Sequence, residues 1–183
     1  MKAVLISIHP QWCELIASGK KKVEVRKTKP KMATPFKVHI YCAKDKKGWF
    51  HFGKKQRLDG MVIGEFVCDS IIPIDVPYPA FQNQLDKSIM EQSCLTYYQL
   101  HRYAYHDMLY GWHISDLKIY EKPKELSEFY KPGTLSNADF EYQLYDGSGD
   151  PRRRSYASYL CTQAIRRPPQ SWCYVEEMLT DGN

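Results

Sequence analysis

A short run of charged residues near the start of the sequence has the composition of a polar binding or catalytic site. Three consecutive lysines at positions 20–22 precede Val23-Glu24-Val25-Arg26, in which valines alternate with charged residues. Because side chains alternate along a β-strand, the pattern predicts a strand that buries Val23 and Val25 and projects Glu24 and Arg26 from the opposite face. A carboxylate held among cations can bind a polar ligand, although an ordinary exposed strand has the same pattern.

Basic residues gather in two parts of the chain, which bear on the partner it would bind. The net charge is +5, with positive residues concentrated in residues 18–57 and at Arg152–Arg154, Arg166 and Arg167. Together with 14% aromatic residues, these patches favour a polyanionic partner such as nucleic acid. The aromatic run at 48–52 would either stack on bases or pack on the core. Charge that only keeps a protein soluble gives the same counts.

Several other kinds of site find no support in the sequence. The six cysteines are scattered without a C-x-x-C pair, which favours buried thiols over zinc binding or a disulfide framework. The sequence contains no nucleophile elbow, phosphate loop or metal-spaced cluster, so we expect no metal and no cofactor. The apolar run Ala3–Ile8 is too short for a signal peptide or membrane span. We therefore expect a cytoplasmic protein with no membrane partner.

The elements that must position the charged run are strands with few helices between them. Pro10 opens a helix whose apolar face includes Trp12, expected in the core, and Gly19 ends it. The pair Thr96 and Gln99 has the capping-box spacing and predicts a second helix, to about Leu109. Many strands without βαβ alternation predict an α+β fold built on a small barrel. The strand segments are Ala3–Ile8, Val23–Arg26, Phe36–Cys42, Gly60–Cys68, Ile71–Val76, Trp112–Tyr120 and Ser171–Glu176.

These segments together resemble an ASCH domain, in the PUA-like superfamily. Gly19, Lys21, Glu24 and Arg26 match the family's G-x-K-x-x-E-x-R signature, and further likeness lies in 38–41, 62–66, 112–114, 122–123 and 168–172. The resemblance implies a single domain over 1–183 with a PUA-like, mostly antiparallel β-barrel and a few helices. It also implies insertions at 77–110 and 131–165, about which the family says nothing.

The resemblance implies an RNA or nucleotide ligand, because ASCH domains are generally thought to bind RNA in a basic cleft beside the first helix. Protein partners are not predicted. Lys20 and Lys21 would meet phosphate or a base edge, and Arg26 would bind phosphate or pair with Glu24. The other residues assigned to the cleft are Tyr41 and Trp112 for stacking, His113, and Gln170 and Ser171 for hydrogen bonds.

The resemblance also leaves an enzymatic alternative. One bacterial group with a similar fold deacylates N4-acetylcytidine with a lysine, a threonine and a glutamate, and ribonuclease activity is attributed to one ASCH protein. Lys21 matches the deacylase lysine, but Glu24 stands where that group has threonine. A small amidohydrolase acting on a modified nucleoside would use Lys21 and Glu24, with Glu65 as the candidate second carboxylate. Acid–base chemistry by Glu24 with His9 or His113 is a further option.

A second alternative is a protein-interaction module. The stretch 77–110 is rich in tyrosine, and we expect its helix to pack across the sheet as an appendage. Such a surface would bind a protein partner independently of the charged run.

Overall fold

The computed structural model describes residues 2–45, 58–133 and 160–177. Predictions for the aromatic run at 48–52, for Arg152–Arg154 and for most of 131–165 lie outside the described residues. The strands are β1 Lys2–Ile8, β2 Val23–Arg26, β3 Phe36–Cys42, β4 Val62–Cys68, β5 Ile71–Ile74, β6 Leu109–His113, β7 Ser115–Lys124, β8 Phe129–Tyr130 and β9 Trp172–Glu177. The α-helices of seven or more residues in the described parts of the chain are α1 Pro10–Ala17, α2 Lys87–Ser93 and α3 Tyr97–Ala104. Short 3-10 helices lie at Pro79–Gln84 and Leu126–Glu128.

Two sheets form the framework of the described structure. A six-stranded sheet has the order β7-β4-β3-β1-β9-β8, and a three-stranded sheet has the order β2-β6-β5. The β1–β3 pair is parallel, and the other strand pairs are antiparallel. The predicted strand-rich, mostly antiparallel fold with few helices is therefore confirmed.

Strand β1 is the centre of the hydrophobic core because both of its faces are covered. Val4, Ile6 and Ile8 belong to one buried cluster, and Leu5 belongs to another on the opposite face. A strand covered on both sides needs apolar residues at every position, not at alternate ones. This burial accounts for the run Ala3–Ile8, which is apolar at every position except Ser7.

The stretch 77–110 packs its helices on the three-stranded sheet. Leu85, Ile89 and Leu100 share a buried cluster with Val23 and Val25 of β2. The inward direction predicted for these two valines is confirmed. The helices are therefore part of the body of the protein around β2.

The helical content of this stretch differs in detail from the prediction. Thr96 and Gln99 form the predicted capping box at the start of α3. The helix ends at Ala104, however, because Tyr105 and His106 both have positive φ angles, of 46° and 70°. Left-handed backbone cannot continue a right-handed helix, and Leu109 already begins β6.

A Schellman turn joins α1 to β2 and sets the start of the charged run. Gly19 has a φ of 71°, and its N–H donates to the Ile16 carbonyl at 2.8 Å. The N–H of Lys20 donates to the Leu15 carbonyl at 2.9 Å. This pair of bonds satisfies carbonyls that the helix end leaves unpaired. The turn directs the next residue, Lys21, into the protein, where it is buried.

We predict that Gly19→Ala lowers the free energy of unfolding by about 1–2 kcal/mol, because a left-handed backbone disfavours a Cβ atom. A Cβ at this position would meet no atom of the described residues within 4 Å, so the cost comes from the backbone alone. Gly19→Asn is the matched control and should lose less, because asparagine tolerates this conformation. Urea unfolding measures both, and equal losses for the two variants would contradict the account.

Candidate functional site

Lys21, Glu24 and Arg26 form a compact buried cluster of charges. One Glu24 oxygen, Oε1, lies 3.0 Å from Arg26 Nη2, and the other, Oε2, lies 3.4 Å from Lys21 Nζ. The three residues are only 2%, 6% and 8% exposed, in chain order. The interpretation of this segment as an ordinary exposed strand is therefore wrong. Buried charges require close partners of opposite sign, which the alternation of these residues supplies.

Three separate elements meet at this cluster. Lys21 Nζ donates to the Ser93 carbonyl at the end of α2, at 2.6 Å, and the N–H of Lys22 donates to the Gln92 carbonyl at 2.8 Å. Arg26 Nη2 donates to the Ser7 carbonyl of β1, also at 2.6 Å. The carbonyl end of a helix is electronegative and attracts a cation. The cluster therefore binds β2 to α2 on one side and to β1 on the other.

The hydrogen-bonding capacity of the cluster is not fully used within the described part of the chain. Glu24 Oε2 is buried without a hydrogen-bond partner there, although Lys21 is its ion-pair partner. Arg26 Nε is likewise buried without an acceptor. A buried polar atom without a hydrogen bond costs free energy, so such atoms in a native protein call for an explanation. Here they lie at the floor of a cleft.

The cleft has a volume of about 1040 Å³ and lies where the two sheets, α1 and the stretch 77–110 meet. Its described lining has four cationic side chains, two carboxylates and three large aromatic residues, with neutral groups between them. The charged and aromatic residues are Lys21, Arg26, Lys44, Arg166, Glu24, Glu125, Trp12, Tyr41 and Tyr103. A concave, partly apolar site with a few convergent polar groups is the usual form of a ligand site.

The structure brings together part of the predicted site. Lys21, Glu24, Arg26, Tyr41 and Gln170 all line the cleft. Tyr41 is only 2% exposed and offers a ligand little of its ring. Its burial raises the pKa of the phenol, with nearby Cys42 acting in the same direction.

Four other predicted residues do not line the cleft. Trp112 is 0% exposed and packs against the rings of Phe36 and Trp172, so it has no accessible face for the stacking role predicted for it. Lys20 is exposed on the turn after α1. The backbone carbonyl of Ser171 accepts a hydrogen bond from Ser7 N at 2.9 Å.

His113 has its own partner away from the cleft. Its Nδ1 lies 2.7 Å from an Asp69 carboxylate oxygen. Burial raises the pKa of Asp69, but the hydrogen bond and charge of His113 more than offset this, and the net shift is downward. Of the two candidate histidines, only His9 lines the cleft with Glu24.

Several cleft residues were not predicted from the sequence. Trp12, expected in the core, is partly exposed and lines the cleft, with Lys21 Nζ 5.3 Å from its ring centroid. Gln99 and Tyr103 of α3 also line it. Residues four apart lie on the same face of a helix, so the sequence does indicate that Gln99 and Tyr103 are neighbours. That this face meets the cleft depends on how α3 packs, which the sequence does not show.

Glu65, the candidate second carboxylate, lies outside the cleft. Tyr120 donates to its Oε2 at 2.8 Å, and Lys37 Nζ lies 3.2 Å from the same oxygen. Burial raises the pKa of Glu65, but the hydrogen bonds from Tyr120 and Lys37 lower it more, so the net shift is downward. The geometry gives Glu65 a role in joining β3, β4 and β7.

Two further features of the described residues concern metal ions and membranes. These residues contain no group of three or more His, Cys, Asp and Glu side chains placed to hold a metal ion. No helix among them combines the length and apolar character that crossing a membrane requires.

Comparison with known proteins gives one family match and several structural neighbours. The family model described as "ASCH domain" matches residues 6–136. The chain is similar to the crystal structure of ASCH from Zymomonas mobilis, with 18% identity, a TM-score of 0.55, and coverage of 95% of this chain and 87% of that chain. A single-substitution variant of that protein gives 18% identity and a TM-score of 0.56 over 96% and 91% of the two chains. A comparison with curated proteins finds no match.

We predict that Glu24→Gln strongly destabilises the protein, by about 3–5 kcal/mol, because it leaves two buried cations without their shared carboxylate. Glu14→Gln is the matched control: Glu14 is exposed on α1, and its loss should change the unfolding free energy by less than about 0.5 kcal/mol. Urea unfolding at neutral pH measures both variants. Equal effects would show that the buried ion pairs do not hold the cluster together.

A pH-dependent prediction follows from Glu65. A carboxyl group whose pKa is lower in the folded state than in the unfolded state stabilises the fold at pH values above its ordinary pKa of 4.5. This stabilisation is lost as the pH falls through the lower pKa of the folded state. The wild type should therefore lose its stability advantage over Glu65→Gln as the medium is acidified below about pH 4.5. Thermal unfolding of both proteins across this range measures the difference, and a constant gap would contradict the predicted coupling.

Proposed function

The chain belongs to the ASCH domain family, and on that premise we propose that its cleft binds RNA or a nucleotide-sized piece of RNA. One observation carries the proposal: the buried Lys21–Glu24–Arg26 cluster lies at the floor of a cleft of about 1040 Å³ with aromatic walls. The volume is at the upper end of the range for small-ligand sites. A nucleotide combines an aromatic base, polar edges and an anionic phosphate, which match the walls, the floor and the positive charge.

The floor of the cleft suits the polar edge of a base. Arg26 Nε is a donor without an acceptor, and Glu24 Oε2 is an acceptor without a hydrogen-bonding donor, among the residues described. Bases present donors and acceptors side by side, and unstacked bases are bound by hydrogen bonds to these edges. A small shift of either side chain towards the cleft would allow such a bond, since both residues line it.

The walls supply faces and charge for the remainder of the ligand. Trp12 and Tyr103 present partly exposed rings, on which a base can stack. Lys44 and Arg166 are exposed at the cleft and suit phosphate. Lys21 and Arg26 are buried with their oxygen partners, so we assign most of the phosphate attraction to the exposed Lys44 and Arg166. Arg166 Nη2 also donates to the Cys161 carbonyl at 3.0 Å, which leaves its other N–H groups for phosphate.

The contacts of Lys21 also help to decide whether the cleft binds a ligand or catalyses a reaction. The amidohydrolase alternative has in its favour that Lys21 and Glu24 lie 3.4 Å apart in the cleft. A nucleophilic or basic lysine, however, needs a neutral amine with a free lone pair. Lys21 Nζ instead forms an ion pair with the Glu24 carboxylate and donates a hydrogen bond to the Ser93 carbonyl. These contacts suit a fixed cation and favour the binding role.

The protein-interaction alternative rests on exposed side chains of the stretch 77–110. Tyr98 and Tyr105 are 70% and 77% exposed. The helix of this stretch packs on the three-stranded sheet, as predicted, and it also supplies part of the cleft wall, so it is more than an appendage. A partner for these tyrosines stays a prediction.

We predict that Lys44→Ala/Arg166→Ala weakens RNA binding and reduces its dependence on salt. Loss of two phosphate contacts should make the slope of log affinity against log salt less negative by about 1.4. Lys118→Ala/Lys122→Ala removes the same charge from exposed positions outside the cleft and should leave the slope near that of the wild type. Fluorescence titrations of a short labelled RNA at several salt concentrations measure all three proteins. Equal slopes for the two double variants would overturn the phosphate assignment.

We predict no turnover of N4-acetylcytidine or of short RNA by the wild type, because the Lys21 side chain is already engaged by the Glu24 carboxylate and the Ser93 carbonyl. Chromatography of each mixture after prolonged incubation measures the product. Product formed by the wild type and lost in Lys21→Met would establish the enzymatic alternative. Circular dichroism must show that this variant is folded, since Lys21 is also part of the buried cluster.

A further inference from the structure

The segment Lys27–Lys31, just after β2, carries a lysine at every second position. Lys27, Lys29 and Lys31 are all exposed. The sequence contains no Asp or Glu between Glu24 and Asp45. The segment therefore carries positive charge without acidic residues of its own, and it continues directly from the strand that supplies the cleft floor.

Aromatic rings of the three-stranded sheet and α3 lie beside two of these lysines. Lys27 Nζ is 5.5 Å from the ring centroid of Tyr103, and Lys29 Nζ is 5.4 Å from that of Tyr110. Tyr103 is 38% exposed and also lines the cleft. One ring beside the segment, that of Tyr103, therefore also belongs to the cleft wall.

Aromatic residues of β9 also contact the segment and hold it in place. Trp172 Nε1 donates to Thr28 Oγ1 at 3.0 Å, and the N–H of Lys31 donates to the Tyr174 hydroxyl at 2.8 Å. The rings of Trp172 and Tyr174 are 5.5 Å apart, and Lys2 Nζ lies 4.1 Å from the Tyr174 centroid. The segment is therefore attached to both sheets, and its lysines are held in a fixed order between aromatic rings.

We propose that this lysine track, made of Lys27, Lys29 and Lys31 with the flanking rings of Tyr103, Tyr110, Trp172 and Tyr174, binds single-stranded RNA that extends out of the cleft. Proteins that bind single strands combine a positively charged path for the backbone with aromatic side chains for the bases. The three ammonium groups bind successive phosphates, and the partly exposed rings contact the bases. The proposal rests on the cleft holding one nucleotide of the same strand.

An alternative explanation is that the lysines only cover the tyrosine rings. Cation–π contacts at exposed sites contribute modestly to stability, so they do not require three lysines in alternation. The two explanations differ in a measurable way. A track makes affinity increase with RNA length, whereas ring coverage does not.

The test compares uridine monophosphate with an oligouridine of about ten nucleotides, a length within single-strand site sizes. For the wild type we expect at least about tenfold tighter binding of the oligouridine. Lys27→Ala/Lys29→Ala/Lys31→Ala should lose most of this gain, and its salt slope for the oligouridine should be less negative by about 2, as expected for three phosphate contacts. Its affinity for uridine monophosphate should stay within about twofold, because the cleft is unchanged.

Two further variants test whether the gain depends on where the lysines lie or only on the number of positive charges. Lys87→Ala/Lys118→Ala/Lys122→Ala removes the same charge from exposed lysines elsewhere and should keep the length-dependent gain. Replacing the three track lysines with arginine keeps the charge and should also keep it. Equal loss in the two alanine triples, or wild-type binding that does not increase with length, would overturn the track while leaving the cleft assignment intact. Failure of the wild type to bind either ligand would overturn the proposed function and the track together.

Discussion

The burial of Glu24 between Lys21 and Arg26 is the constraint on which the rest of the site depends. An isolated charge in the interior is very costly, so each of the three residues requires the others and their oxygen acceptors. Those acceptors come from the end of α2 and from β1. Burial of these charges therefore requires that α2 and β1 lie beside β2, where their carbonyl groups accept hydrogen bonds from Lys21 and Arg26. The cleft lies next to this contact.

The cleft is formed jointly by the charged run after α1 and by the stretch 77–110. The signature residues Gly19, Lys21, Glu24 and Arg26 form its floor and the turn that leads to it. The stretch 77–110 supplies part of one wall through Gln99 and Tyr103. Similarity to solved ASCH structures at 18% identity establishes the fold and leaves the ligand to be argued from these side chains. Their charge, rings and hydrogen-bonding groups fit a nucleotide.

The sequence predicted the framework well because strand patterns depend on local burial. The alternation in Val23–Arg26 correctly placed two valines in the core, and the nearly unbroken apolar run of β1 reflects its two covered faces. The two tryptophans show where prediction failed. Trp12 was expected in the core, and it does pack against the core cluster, but it is partly exposed and also lines the cleft. Trp112 was expected to be available to a ligand, whereas it is fully buried. A helix face or strand position tells which way a side chain points, but how deeply it is covered depends on elements distant in sequence.

A crystal structure of the protein with uridine monophosphate tests the central claim most directly. The account predicts the base in the cleft, between the rings of Trp12 and Tyr103, with a hydrogen bond to Arg26 or Glu24 and the phosphate towards Lys44 and Arg166. It would be contradicted by a nucleotide bound outside the cleft, or by a cleft that stays empty at a nucleotide concentration that saturates binding in solution.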